Sequence, residues 1–453
     1  MSTVIAFLAA LALLIAIHEW GHYRVARACG VKVLRFSIGF GRVIWRRVGR
    51  DGTEFTLSAL PLGGYVRMLD EREGPVRPDE REQAYNNRPL RQRAAIVAAG
   101  PAANWALAVL LFALVGWMGS EVPKALLGTP VPGSLAEQAG LRAGDLVRAV
   151  SPDGEQWQDV EGLPDLQSAV LQAQALGQAV YLMAGDAQGR GERSLHLATD
   201  RLAGQVANAE LIRRIGLAPW AEPLLREVRS DGAAAAAGLR SGDRVLSIDG
   251  QAVPDASLLR ELIRGAHDGT QARTQRWMVE RAAQTVALQV TPAIVDEAGQ
   301  PVARLGVGIG SPPERVLVRY GFADGLVRAA SQTWDMAATT VRLIGRMLIG
   351  EASVKNLSGP LSIADYAGQS ARAGLVPFLE FLARISMSLA VLNLLPLPML
   401  DGGHLMYHLF EGLTGRPVSE RRQRQLQRAG ALVLMLMMAL AFSNDVARLA
   451  GWQ

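Results

Sequence analysis

Four stretches of this 453-residue chain are apolar enough to predict helices that cross a membrane. They run from about Val4 to Val25, from Ala94 to Trp117, from Leu375 to Leu400, and over residues 426–443. The second contains no charged residue, the third contains two, and the fourth is short against the ~20 residues that a span needs. The pattern predicts a polytopic α-helical membrane protein with four transmembrane helices.

A polar stretch with alternating apolar positions follows the first span. Arg42–Val48 and Thr53–Leu60 are typical of strands, and Arg50-Asp51-Gly52 between them supplies a hairpin turn. We expect a membrane-associated β-hairpin over about residues 38–66. Its edge could pair with an extended peptide, although an ordinary surface hairpin fits the same residues.

The long segment between the second and third spans contains an internal repeat. Ala139–Val147 reads AGLRAGDLV, and Ala237–Val245, 98 residues later, reads AGLRSGDRV. Leu246–Gly250 then forms a predicted strand that ends in an Asp-Gly turn. The pattern resembles PDZ domains, and it predicts two tandem PDZ-like α/β modules. Such modules bind extended peptides by strand addition, or they could serve only as a steric cap.

Gly325–Leu348 has the pattern of an amphipathic helix, which could lie on the membrane surface or be buried in a soluble domain. With this helix the predicted organisation is complete. It comprises an N-terminal membrane part (1–119), two PDZ-like domains (120–219 and 220–311), an amphipathic membrane-surface region (312–374) and a C-terminal membrane part (375–453).

Charge sets the expected orientation in the membrane. The chain has a net charge of +5, and residues 24–93 contain 15 Lys or Arg against 8 Asp or Glu. A second basic stretch, Arg416–Arg428, lies between the last two spans. Under the positive-inside rule both loops are cytoplasmic, which leaves residues 120–374 and both termini on the other side. No nucleic-acid recognition motif accompanies these charges. With Cys29 as the only cysteine, an intrachain disulfide is excluded.

The first span ends in a motif that carries chemistry. His18-Glu19-Trp20-Gly21-His22 has the form H-E-x-x-H, which on a helix places two imidazoles on one face. Such a pair can hold a metal ion, usually zinc, and the glutamate serves as a general base. The apolar residues of the first span continue directly into this motif, and no basic n-region precedes them. We therefore expect a retained helix rather than a cleaved signal peptide.

A hydrolytic zinc ion needs a third protein ligand. The best region is Asn393–His404, where Asp401 follows two prolines at the end of the third span. His404 is a rival ligand. Asn393 could bind the substrate backbone or a developing oxyanion, or could pack against a neighbouring helix. For Asn104, in the second span, packing is the favoured interpretation.

These paired motifs, H-E-x-x-H in the first span and N-x-x-P-x-P-x-L-D-G at the end of the third, resemble the site-2 protease family. The resemblance covers essentially the whole chain. It implies that His18, His22 and Asp401 ligate one zinc ion, that Glu19 is the catalytic base and that Asn393 contacts substrate. It also implies that the segment containing Gly39, Phe40 and Gly41, with the hairpin, receives the substrate as an extended strand.

The resemblance implies a cellular role as well. Members cut single-span membrane proteins within the bilayer of the bacterial inner membrane, after another protease has trimmed the outer part. Their substrates include anti-sigma factors of the envelope stress response and remnant signal peptides. Two alternative hypotheses for the function are a non-enzymatic membrane scaffold that works through its PDZ-like modules, and a transporter with broken helices.

Overall fold

The computed structural model describes residues 2–203, 205, 209–269, 271–297, 300–349 and 359–449. The chain divides into two compact units, one of residues 1–120 with 319–453, and the other of residues 121–318. Residues 350–358, which belong to the predicted surface region 312–374, lie outside the described residues. So do residues 450–453 of the predicted C-terminal part and four positions of the first predicted PDZ-like domain.

In the first part of the chain, a β-hairpin lies in sequence between two long helices. They are α1 (Ser2–Ala28), β1 (Val33–Val48), β2 (Glu54–Met68) and α2 (Leu90–Met118). Helix α1 is longer than the predicted span by two residues at its start and three at its end. Strand β1 begins at Val33 instead of Arg42 and ends at Val48 as predicted, whereas β2 begins one residue later than predicted and continues past Leu60 to Met68. The predicted hairpin is confirmed.

The hairpin is curled rather than flat. Residues 33–38 of β1 pair on one side with residues 64–68 of β2 and on the other side with residues 54–57. The tip continues as a ribbon in which Trp45 faces Leu57 and Val48 faces Glu54. Residues 64–68 therefore have β1 on one edge, and no other strand of the described residues pairs with their second edge, which is called the open edge below.

Residues 121–318 contain the repeat. The elements here are β3 (Ser120–Pro123), α3 (Leu135–Gln138), β4 (Leu146–Ser151), β5 (Gln158–Asp159), α4 (Leu163–Leu176), β6 (Val180–Gly185), β7 (Arg193–Leu197), α5 (Ala209–Ile215), β8 (Leu225–Val228), α6 (Ala233–Ala236), β9 (Arg244–Ile248), β10 (Gln251–Ala252), α7 (Ala256–Arg264), β11 (Gln275–Arg281), β12 (Gln284–Val290), β13 (Ala293–Glu297), β14 (Gln300–Arg304), β15 (Val307–Ile309) and β16 (Arg315–Val318). Two four-stranded sheets have the same order, β5-β4-β6-β7 and β10-β9-β11-β12. Each sheet packs on its own hydrophobic core.

The repeated G-L-R-x-G-D segment forms the same hydrogen-bonded turn in both copies. Asp145 accepts a hydrogen bond of 2.7 Å from the backbone N–H of Arg142, and Asp243 accepts one of 2.8 Å from that of Arg240. Each carboxylate also binds an arginine from a later strand, Arg193 or Arg281. The glycine before each aspartate has a φ of +84° or +92°, a conformation that favours glycine. The sequence repeat thus encodes one turn built twice.

The elements described after β16 are all helices: α8 (Phe322–Leu348), α9 (Pro360–Ala373), α10 (Leu375–Leu394), α11 (Asp401–Thr414) and α12 (Glu420–Leu449). The third predicted span, which was expected to reach Leu400, ends at Leu394, because Pro396 and Pro398 cannot continue the helix. Within the described part of the chain, four helices, α1, α2, α10 and α12, are long and apolar enough to cross a membrane by length and composition. The chain is therefore a polytopic membrane protein with a β-hairpin.

Helix α9 is anchored to the last span by a buried carboxylate. Asp445 of α12 is 1% exposed and accepts backbone hydrogen bonds of 3.1, 3.0 and 3.1 Å from Gly359, Leu361 and Ser362 at the start of α9. The first N–H groups of a helix have no partner within the helix. Their capture explains how an ionisable group is tolerated in an apolar segment.

Candidate metal centre

Helix α1 brings the two motif histidines together. His18 and His22 are one turn apart, and their Nε2 atoms are separated by 3.2 Å. The rings meet edge to face, with centroids 4.8 Å apart. Glu19 and His22 are each 9% exposed. One face of the helix thus presents two convergent imidazoles beside a buried carboxyl group.

Asp401 reaches the same point from the first residue of α11. Its Oδ2 atom lies 3.2 Å from His18 Nε2 and 3.5 Å from His22 Nε2. The next two residues must be glycine, because a Cβ on Gly402 would lie 2.2 Å from the carbonyl oxygen of Leu395. A Cβ on Gly403 would lie 2.3 Å from that of Leu397. The Asp-Gly-Gly sequence therefore lets the chain fold back tightly on the end of the third span.

The three ligand atoms fit a tetrahedral ion. Their separations are 3.2, 3.2 and 3.5 Å. Ligands held at roughly 2.0–2.1 Å from one tetrahedral zinc ion lie about 3.3 Å from each other. Burial by itself raises the pKa of Asp401, but the neighbouring His18 and His22 outweigh it and lower the pKa to about 2, so this group is anionic at neutral pH. Among the described residues, this is the group of three whose geometry suits a metal ion.

Helix α2 forms the back wall of the centre. His22 Nδ1 lies 2.8 Å from the carbonyl oxygen of Ile96, so this nitrogen donates and Nε2 is free to ligate. Gly100 faces both imidazoles: a Cβ there would lie 2.2 Å from His22 Nε2 and 2.8 Å from His18 Cε1. Asn104 is fully buried, and its amide lies 3.4 Å from His18 Nδ1.

A cavity of about 1050 Å³ opens onto the three ligands. Its lining includes Glu19, Phe40, Asn393 and residues 63–66 of β2. Gly64 approaches the centre so closely that a Cβ there would lie 2.9 Å from Glu19 Cγ and 2.8 Å from Ile15 Cγ2. Strand β2 therefore passes directly beside the proposed base at Gly64.

The predicted site residues occupy different positions around this cavity. Of Gly39, Phe40 and Gly41, Phe40 is among the lining residues, and its ring stacks on that of Tyr65. Gly39 and Gly41 have φ angles of +87° and +84° and shape the bend of β1. Asn393 is half-buried in the lining. His404, the rival ligand, also lines the cavity but is not in the ligand triangle.

Sequence reasoning missed three features of this site. Residues 63–66 fell within the predicted substrate-receiving hairpin but were not singled out, although a Gly-Gly pair inside a strand is a signal of close backbone approach. Gly100 was not singled out, although a glycine before a proline within an apolar span carries a similar signal. Asn104 was assigned to packing, whereas it lies against a histidine of the centre.

Part of the cavity lining is polar and is called the polar annex here; it consists of Tyr85, Arg93, His408 and Glu411. The hydroxyl of Tyr85 is 3.0 Å from His408 Nε2, and Arg93 forms a bidentate pair with Glu411 at 3.1 and 2.6 Å. Burial, followed by the charge of Arg93, lowers the pKa of His408 to about 4, so its imidazole is neutral at pH 7. The annex is thus hydrophilic but nearly balanced in charge.

Comparison with known proteins agrees with this geometry. Residues 6–437 match the family model of peptidase family M50. A protein from Ralstonia nicotianae, named as a proposed zinc metalloprotease, is 41% identical over 99% of both chains. The regulator of sigma E protease of Salmonella typhi is 39% identical, and the regulator of sigma-E protease RseP of Escherichia coli K12 is 37% identical, each over 98% of both chains. The chain belongs to peptidase family M50 and is a zinc metalloprotease of the site-2 type.

Proposed function

We propose that this protein cleaves single-span membrane proteins within the bilayer, as the second step of regulated intramembrane proteolysis. The observation that carries the proposal is the convergence of His18 and His22, from the first span, with Asp401, from the start of α11, on a cavity lined by residues 63–66 of β2. The relatives named regulators of sigma-E protease suggest anti-sigma factors of the envelope stress response as substrates. Remnant signal peptides are a second proposed class.

The residues divide the chemistry among them. One zinc ion held by His18, His22 and Asp401 would polarise the scissile carbonyl and make water nucleophilic near neutral pH. Glu19, buried beside the ligands, takes the proton from the attacking water and delivers it to the leaving amine. Asn393, which lines the same cavity, holds the substrate backbone with its side-chain amide.

The strand edge addresses a physical obstacle to cleavage in a bilayer. A substrate helix must unwind before a carbonyl is exposed, and each unsatisfied backbone group in hydrocarbon costs several kcal/mol. The open edge of residues 64–68 offers N–H and C=O groups that can pair with an unwound segment. Phe40 and Tyr65 stack beside this edge and provide an apolar contact for its side chains.

The proposed topology follows from charge. The basic loops that follow α1 and precede α12 lie in the cytoplasm of a bacterial cell, which places α1, α2, α10 and α12 in the inner membrane. Residues 120–311 are then periplasmic. Their two similar sheets and the shared Gly-Asp turn support two PDZ-like modules, and we assign to them the exclusion of untrimmed substrates by size.

Co-expression with a tagged single-span substrate tests the proposal. Wild type, Glu19→Gln and Asp401→Ala are compared, with Glu380→Gln as the matched control. The control makes the same chemical change at a carboxyl of α10 that is not among the residues lining the cavity. We expect cleavage by wild type and by the control but not by the other two. Undiminished cleavage by both Glu19→Gln and Asp401→Ala would refute the assignment.

A further inference from the structure

The two histidines of the centre both point Nε2 at Asp401, which constrains their other ring nitrogen. A neutral imidazole that ligates through Nε2 carries its hydrogen on Nδ1, and that hydrogen needs an acceptor. For His22 the acceptor is the carbonyl oxygen of Ile96, at 2.8 Å. For His18 the neighbouring atom is the side-chain nitrogen of Asn104, at 3.4 Å.

That contact joins two donors once His18 ligates through Nε2. The oxygen of the same amide, Asn104 Oδ1, is buried and has no hydrogen-bond partner. A half-turn of the amide exchanges its oxygen and nitrogen with almost no change of shape, and places Oδ1 against His18 Nδ1. Either orientation leaves one amide position without a partner, so the contact with His18 decides between them. With metal bound, only the turned amide gives the Nδ1 hydrogen an acceptor.

We propose that Asn104 is a positioning residue for the zinc centre, and that its Oδ1 accepts a hydrogen bond from His18 Nδ1. This bond fixes the tautomer and the ring plane of His18, as Ile96 does for His22. Helix α2 thereby supplies the orienting acceptor for both histidine ligands.

Asn104 is itself held in place. Its side chain is fully buried, and its backbone carbonyl accepts a hydrogen bond of 2.8 Å from the hydroxyl of Ser386 on α10, which is also fully buried. Gly100, one turn earlier on α2, leaves the space in which the imidazoles lie. The acceptor is therefore preorganised by the packing of α2 against α1 and α10, which is what a precise metal site requires.

Zinc affinity, measured by competition with a chelator on the purified full chain, tests the inference. Asn104→Leu keeps the size of the side chain and removes the acceptor, whereas Asn104→Asp keeps an acceptor. We expect Asn104→Leu to weaken zinc binding by about 10- to 100-fold and Asn104→Asp to bind within a few-fold of wild type. Thr333→Val, in α8, is the control: it removes a buried hydroxyl whose partner, Ala329, is in its own helix.

The outcomes separate this inference from the proposed function on which it rests. Wild type that binds no zinc contradicts the proposed function itself. Wild type that binds zinc, with Asn104→Leu equally tight or Asn104→Asp as weak as Asn104→Leu, overturns only the positioning role. If Asn104→Leu does not fold, Asn104→Ala, which adds no bulk, replaces it with the same expectation.

Discussion

Gly100→Ala is the substitution that the structure predicts to be most damaging for its size. The added methyl group would lie 2.2 Å from His22 Nε2 and 2.6 Å from His22 Cε1. Non-bonded carbon and nitrogen atoms rest about 3.5 Å apart, so the imidazole edge must retreat by about 1 Å. A metal site tolerates displacements of roughly 0.2 Å. His22 therefore cannot keep both its bond to Ile96 and its place in the ligand triangle.

The size of the expected loss in zinc affinity follows from the displacement of one ligand in three. Misplacing an outer hydrogen-bond partner already costs about 10- to 100-fold in metal affinity, so we expect more than about 100-fold here. The effect on the helix has the opposite sign, because alanine is favoured over glycine by roughly 1 kcal/mol in a helix interior. Loss of zinc from a protein that still folds is thus the expected signature.

The assay is zinc content and affinity of the purified protein, with thermal unfolding measured on the same samples. Gly345→Ala in α8 is the matched control, because a Cβ at this exposed helical glycine would meet nothing within 4 Å. We expect the control to bind zinc like wild type. Gly100→Ala with stoichiometric zinc of unchanged affinity would refute the reasoning.

Three further predictions concern the strand edge, the substrate and the second sheet. Gly64→Ala places a methyl group 2.9 Å from Glu19 Cγ. Zinc content should be retained, while cleavage falls by roughly 100-fold because Glu19 is displaced. An equal loss of zinc would count against the role assigned to residues 64–68 of β2. A substrate span with glycine or proline near the scissile bond should be cut faster than a poly-Leu span, and equal rates would contradict the unwinding argument. Asp243→Asn should lower the free energy of unfolding by roughly 3 kcal/mol at pH 7, because Asp243 is 1% exposed and binds Arg281. Burial raises the pKa of Asp243, but hydrogen bonds from Arg281 and Arg240 outweigh burial and bring the pKa below its ordinary value of 3.8. Wild type therefore has the full stabilisation above pH 3.8 and loses it as the pH falls through the lowered pKa of the folded state. Thermal unfolding should therefore show the two proteins converging in acid, and a difference that is independent of pH would argue against this pairing.

The local chemistry of the site was readable from the sequence because it rests on short-range rules. The spacing of His18 and His22 fixes their shared helix face, and the prolines before Asp401 require a helix to end there. The hairpin and the repeat follow from turn residues and alternation. In each case the signal is a short run of neighbouring residues.

What the sequence could not supply depends on contacts between distant segments. Nothing local to Asn104 indicates that it lies against His18, 86 positions away. The curl of β1 against both halves of β2, and the approach of Gly64 to Glu19, arise from the packing of the hairpin on α1. The third predicted span was too long because hydropathy continues through the Leu and Met residues after the helix has ended at Leu394.

The central claim is that Glu19 activates water at a zinc centre made by His18, His22 and Asp401. Its most direct test is the cleavage rate of a single-span substrate by purified wild type and Glu19→Gln in lipid vesicles, with zinc content measured on the same samples. We predict one zinc ion per chain in both proteins and a rate lower by roughly 10²- to 10⁴-fold in the variant. A variant that contains zinc and cleaves at the wild-type rate would contradict the claim.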